Sequence, residues 1–171
     1  MRWLFVIALA ACQSSSSKLD PPPGKLELVD APKTDDVAPL IAKEVARATI
    51  DHKKLIIYLG APWCEPCVKF HAAAARGELD RDFGDLRMLV FDADRDNEAL
   101  QRAGYKYELV PMFALPGPDG RSLDKQIEGS IKGSRYVEQI SPRLRALLDN
   151  STLPSGSTVS PGQARLDAGS T

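Results

Sequence analysis

Cys64 and Cys67 stand three apart in Trp63-Cys64-Glu65-Pro66-Cys67, directly after the apolar run Leu55-Ile56-Ile57-Tyr58-Leu59. A strand-like run that gives way to Cys-x-x-Cys predicts two thiols at the first turn of a helix. At that spacing they can close a small ring with little backbone movement, so the pair can cycle between dithiol and disulfide. Unpaired backbone N–H groups at the helix start favour the thiolate of Cys64 and make it the nucleophile. Its attack on a disulfide gives a mixed disulfide, which Cys67, one turn along and less exposed, resolves. Pro66 suits the first turn, where its missing N–H costs no bond. Glu65, between the thiols, is either a proton carrier for them or a solvated carboxylate stabilised by the helix dipole. Val110-Pro111, farther along the chain, is a third signal that fits the same chemistry.

Elements that position this pair alternate between strand and helix, which favours an α/β layer architecture. Leu26 to Val29 reads as a short edge strand. Asp35 or Asp36 can cap a helix that tolerates Pro39 in its first turn and aligns Val37, Leu40, Ile41, Val45 and Ala48 on one face. Lys54 to Leu59 is apolar throughout its interior, hence a central strand. The Cys-x-x-Cys opens a helix from Val68 to about Arg76, weakened at Gly77. Arg87 to Phe91 reads as a second central strand, followed by an acidic loop, Asp92 to Asp96, and a short helix from Glu98 to Arg102 stopped at Gly104. Met112 to Leu115 and Ser122 to Glu128 pair as a hairpin around the turn signal Pro116-Gly117-Pro118-Asp119-Gly120. Ser134 to Leu148 is helical with Val137, Ile140, Leu144, Leu147 and Leu148 as its buried stripe. Pro142 predicts a kink there, or a restart with Ser141 as cap.

Composition sets the frame for these elements. Lys and Arg number 22 against 23 Asp and Glu, for a net charge of -1, and neither sign is blocked together. Nothing therefore recommends a nucleic acid as partner. Of the 171 residues, 1–11 read as a signal segment, 12–25 as a flexible Ser/Pro tether, 26–150 as one folded domain and 151–171 as a tail too poor in apolar residues to fold.

Over residues 26 to 150 the chain resembles the thioredoxin superfamily, in the order of its elements and in its spacing from Cys67 to Pro111. The resemblance implies a thioredoxin-like fold with a central mixed β-sheet flanked by helices in a single domain. It matches Trp63 to the tryptophan before the first cysteine, Cys64 to the nucleophile, Cys67 to the resolving thiol and Pro111 to a cis-proline facing the disulfide. A cis Pro111 would leave the Val110 backbone free to pair with substrate, and Gly129 matches the glycine near the substrate groove. Trp63 then shields the thiol face or, alternatively, fills core. Glu-Pro between the cysteines resembles extracytoplasmic reductases of exported thiols. The redox-active pair itself is the only redox group implied, with no separate cofactor. Two positions depart from the family. Its buried acid falls here on Tyr58 and the lysine partner on about Val90, so the usual proton relay to the second cysteine is absent.

The chain begins with one basic residue, a short apolar stretch and Leu9-Ala10-Ala11-Cys12, too short for a membrane span. This resembles the lipobox of bacterial lipoproteins, with an ordinary cleaved signal as the alternative. The resemblance implies cleavage before Cys12, lipidation of that residue and an extracytoplasmic monomer anchored to a bacterial membrane, on the periplasmic side where there are two. The tether would hold the domain roughly 20 Å or more from the bilayer. Exported proteins with thiols or disulfides would be its clients and a membrane protein its electron donor. The direction of transfer, reduction, oxidation or isomerisation, depends on the potential of the couple. Two rivals remain. Cys64, Cys67 and His71 share one helical stripe and could hold copper or zinc in a metallochaperone, or the groove could bind peptides without catalysis. His52, in a polar loop, carries no signal.

Overall fold

The computed structural model describes residues 24–149. In chain order they form β1 (Glu27–Asp30), α1 (Ala38–Ile50), β2 (Lys54–Gly60), α2 (Glu65–Ala75), α3 (Asp80–Phe83), β3 (Leu86–Asp92), α4 (Ala93–Arg102), β4 (Met112–Pro116), β5 (Ser122–Glu128) and α5 (Tyr136–Asp149). The expected signal segment, Cys12, most of the tether and the tail lie outside the described residues. Among the described residues no helix is long and apolar enough to cross a membrane.

β2 reads as a continuous apolar run because both of its faces are covered. It lies in the middle of a five-stranded sheet of order β1-β3-β2-β4-β5. β1 and β2 flank β3 in parallel, whereas β4 is antiparallel to both β2 and β5. Alternation along each strand divides the core in two. Ile56 and Tyr58 of β2, Met88 of β3 and Phe113 and Leu115 of β4 pack with Phe70 and Ala73 of α2 and Ile140, Leu144 and Leu147 of α5. On the opposite face Leu55, Ile57, Leu59, Leu89, Phe91, Met112 and Ala114 pack with Ile41 and Ala48 of α1 and Leu100 of α4. This is the thioredoxin-like arrangement expected from the sequence.

The N-cap of α1 is Val37 rather than Asp35 or Asp36, although Asp36 Oδ1 accepts from the Ala38 N–H at 3.3 Å, and three further details differ from the sequence reading. The acidic stretch after β3 is not a loop. Asp92 caps α4, its carboxylate accepting from the N–H groups of Asp94 (2.8 Å) and Arg95 (3.2 Å), and acids in the first turn suit the helix dipole. Asp96 is buried, accepting from the Asp92 N–H at 2.9 Å and paired with Arg95 at 2.7 Å. The short helix α3, for which the sequence carries no separate signal, follows Gly77, whose φ of 74° is left-handed. Finally, α5 runs through Pro142 as one helix, with Ser141 buried inside it rather than capping a new start. The unbroken apolar stripe Ile140, Leu144 and Leu147 holds the helix to the sheet, and exposed Pro142 forfeits one helical hydrogen bond on the outer face.

Candidate active site

β2 ends at Gly60, and the chain turns through Ala61 and Pro62 so that α2 starts at Glu65 with Cys64 as its N-cap. The Cys64 N–H donates to the Ala61 carbonyl at 3.1 Å, and the Val68 N–H donates to the Cys64 carbonyl at 3.0 Å. Cys64 and Cys67 form a disulfide with S–S 2.06 Å and Cα–Cα 5.2 Å. The Cys64 Sγ accepts the Cys67 N–H at 3.2 Å. That donor, with the helix dipole behind it, is placed to stabilise negative charge on this sulfur once the bond is opened. Both cysteines are buried in the disulfide form, Cys67 the more deeply.

Trp63 is 67 % exposed, so it lies on the surface beside the disulfide and does not fill core. Its Nε1–H donates to Asp94 Oδ2 at 2.9 Å, joining the Cys-x-x-Cys turn to α4. Glu65 Oε1 accepts from Lys69 Nζ at 2.5 Å and from the Gly133 N–H at 3.3 Å, and Lys69 also donates to the Gly133 carbonyl at 3.0 Å. The Lys69 hydrogen bond, then that of Gly133, holds the Glu65 carboxyl below its ordinary range. Glu65 thus stays anionic at neutral pH and ties α2 to the loop before α5.

The Val110-Pro111 peptide is cis, and Pro111 is buried. The sequence-selected Gly129 meets it: the Gly129 N–H donates to the Pro111 carbonyl at 2.9 Å. Gly129 has φ 64°, and a Cβ there would lie 3.2 Å from Leu109 Cδ1. Glu128 accepts from the N–H groups of Glu108 (2.8 Å) and Leu109 (3.0 Å), while Arg143 Nη1 donates to the Gly129 carbonyl at 2.7 Å. Glu128 and Arg143, which the sequence did not single out, therefore brace this loop from β5 and α5. Of the large apolar side chains exposed among the described residues, Trp63, Val68, Leu109 and Ile131 all belong to the segments around the disulfide, the cis-proline or Gly129. Such an apolar rim suits contact with a polypeptide.

Cys67 shares a cavity with residues of β2 and β3. Tyr58 on β2 lies in register with Val90 on β3. The Tyr58 ring packs against Phe70 at 5.4 Å, Phe113 at 5.0 Å and His71 at 5.1 Å between centroids. Its hydroxyl is buried without a hydrogen-bond partner, and desolvation pushes the phenol far above its ordinary range. Gly60 makes room for it, since a Cβ at residue 60 would lie 2.9 Å from the hydroxyl oxygen. A cavity of about 450 Å³ opens here, lined by Tyr58, Cys67, His71, Asp30, Asp92 and Arg95 among others. His71 is half-buried, and burial lowers its pKa below the ordinary 6.5 although Asp30 opposes the shift. The stripe position of His71, four residues after Cys67, was visible in the sequence; its enclosure was not. Among the described residues no group of three or more His, Cys, Asp or Glu side chains is placed to hold a metal ion while Cys64 and Cys67 are joined as a disulfide.

No family model matches the chain. Among solved structures it is similar to a poplar thioredoxin h, at 24% identity over 74% of this chain and 98% of that one, with a TM-score of 0.46. It is also similar to oxidised thioredoxin O1 from Arabidopsis thaliana, at 16% identity over 72% and 96% of the two chains and a TM-score of 0.43. A thioredoxin from Trichomonas vaginalis matches at 17% identity, 71% and 96% coverage and a TM-score of 0.46. The fold class rests on the strand order and pairing directions together with the disulfide at the start of the helix after the central strand. These define a thioredoxin-like α/β fold in a single domain.

Proposed function

We propose that this protein is a thiol-disulfide oxidoreductase that reduces protein disulfides through Cys64 and Cys67. The observation that carries this is the Cys64–Cys67 disulfide at the N-terminus of α2, with the Cys67 N–H already on the Cys64 sulfur. In the reduced protein the Cys64 thiolate attacks a substrate disulfide, forming a mixed disulfide and releasing one substrate thiolate. Cys67 then attacks Cys64, expels the second substrate thiolate and regenerates the internal disulfide. Two electrons pass from the dithiol to the substrate, and a donor of reducing equivalents must restore the dithiol. The apolar rim of Trp63, Val68, Leu109 and Ile131 supports a polypeptide substrate over a small thiol.

The equilibrium potential of the couple, titrated against a thiol buffer, tests the direction. A value near −270 mV, the thioredoxin range, is expected; a value near −120 mV would make the protein an oxidant of its clients and defeat the reductase assignment.

The finer part of the proposal is an extracytoplasmic protein tethered through lipidated Cys12, serving exported clients and drawing electrons from a membrane donor. The Leu9-Ala10-Ala11-Cys12 sequence and the Ser/Pro-rich stretch behind it support this. Metabolic labelling with a radioactive fatty acid is expected to mark the wild-type chain and not Cys12→Ser. Equal labelling of both, or of neither, would remove the anchor from the proposal.

A further inference from the structure

We propose that His71 is the proton-exchange group of Cys67, acting through the cavity the two side chains share. The inference rests on the dithiol-disulfide reading and names the group that reading leaves open. Cys67 must lose a proton before it can attack the mixed disulfide, yet it is the more deeply buried cysteine, and burial opposes thiolate formation. The paired positions Tyr58 on β2 and Val90 on β3 line the same cavity as Cys67, so neither a carboxylate nor an ammonium stands at those two places.

Three observations point to His71. Residues four apart on a helix are neighbours on one face, and Cys67 and His71 are so spaced on α2. Both line the same cavity, so the imidazole faces the space into which the thiol opens. Tyr58 lines the cavity too. Its hydroxyl is buried without a partner, and its ring packs against the imidazole. A space of about 450 Å³ is ample for water, which needs far less room provided it finds polar neighbours.

The charged groups that line this cavity with His71 are Asp30 at the end of β1, Asp92 at the end of β3 and Arg95 on α4. Asp92 is engaged as the cap of α4, and Arg95 donates to Asp96 and to the Ala31 carbonyl. Asp30 is exposed to solvent. Its charge nonetheless favours the imidazolium formed in the step. Burial leaves His71 neutral at pH 7, which is the form that accepts a proton.

In the resolving step the Cys67 S–H proton passes to His71, and the resulting thiolate attacks Cys64 Sγ. The bond between Cys64 and the substrate sulfur breaks, its electron pair leaves on the substrate thiolate, and His71 returns its proton to solvent through the cavity mouth.

Stopped-flow reaction of the reduced full-length chain carrying Cys12→Ser with 5,5′-dithiobis(2-nitrobenzoate) separates the two thiols. The first release of nitrothiobenzoate reports attack by Cys64, and the second reports attack by Cys67 on the Cys64 adduct. His71→Gln and His71→Asn are each expected to slow the second release about 10-fold or more at pH 7 while leaving the first unchanged. In the His71-bearing protein the second rate should persist as pH falls, until the imidazole protonates below its ordinary 6.5. In both variants it should instead fall off in the alkaline range of a buried thiol. An unchanged second phase, parallel slowing of both phases, or identical pH profiles would overturn the role of His71. A chain with intact His71 but no first release would overturn the dithiol reading itself, and this inference with it.

Discussion

Cys64→Ser is expected to abolish reduction of a protein disulfide, a loss of at least about 10³-fold, whereas Cys67→Ser is expected to stall the reaction halfway. The difference follows from the positions of the two sulfurs. Cys64 caps α2 and already receives a backbone N–H, so its thiolate is the one the fold stabilises. Serine in its place presents a hydroxyl whose ionisation lies far above neutral pH, and the remaining thiol, Cys67, is more deeply buried. Cys67 lies deeper and meets the substrate only through Cys64. Without it the first attack proceeds, but the resulting bond between Cys64 and the client has no internal thiol to break it. Non-reducing electrophoresis and mass spectrometry of Cys67→Ser should therefore show covalent adducts of a disulfide-bearing client that a small thiol releases. Full turnover by either variant would show that the pair does not work as nucleophile and resolver. Adducts in Cys64→Ser but not in Cys67→Ser would reverse the two roles.

Legibility of this fold in the sequence tracks how local each signal is. β2 and the start of α2 are fixed by a buried apolar run broken at Gly60 and followed by a Cys and Pro pattern that only a helix start accommodates. The β4–β5 hairpin announces itself through Pro116 to Gly120, and β5 spans Ser122–Glu128 as read from the chain. Where the sequence was misread, two local signals competed. Asp92 to Asp96 is polar enough for a loop, yet the same acids cap and charge the start of α4. Pro142 signals a break by its own chemistry, but the apolar stripe on either side outweighs it. The site shows the same division. The disulfide pair was legible, and so was the position of Tyr58 opposite Val90, whereas the hydrogen bond between Gly129 and Pro111 was not. The Trp63–Asp94 bond and the Glu128 and Arg143 braces were not, because each joins elements far apart in the chain whose approach the sheet order alone decides. His71 lies between these cases: its spacing from Cys67 is local, but its enclosure depends on β1, β3 and α4 closing around it.

The largest stability effect is expected well away from the disulfide, at Gly120. This residue ends the turn between β4 and β5 with φ 79°, a left-handed conformation that costs an L side chain roughly 1 kcal/mol or more. A Cβ here would lie 1.9 Å from the Ala38 carbonyl oxygen and 2.8 Å from the Ala42 nitrogen. Both are backbone atoms of α1, which cannot swing aside as a flexible side chain would. Retreat of the turn is opposed as well, because the Tyr105 hydroxyl, itself buried, donates to the Gly120 carbonyl at 3.0 Å. Overpacking of this kind adds about 1–3 kcal/mol, so Gly120→Ala should lose about 2–4 kcal/mol in total. For a domain with about 5–15 kcal/mol to spare, that is a large fraction. Gly133 provides the control. Its φ of 98° is equally left-handed, but nothing lies within 4 Å of a Cβ built there. Gly133→Ala should therefore show the conformational cost alone, about 1 kcal/mol. Chemical denaturation of the two variants separates the contributions. Equal midpoints would show that α1 yields to the turn without cost, which would remove the steric argument. The clash falls on the face of the sheet carrying α1, opposite the one that packs α2. Whatever fraction of Gly120→Ala remains folded should therefore attack disulfides through Cys64 at the wild-type rate. A slowed attack in the folded fraction would mean that strain on the α1 face reaches the disulfide through β2.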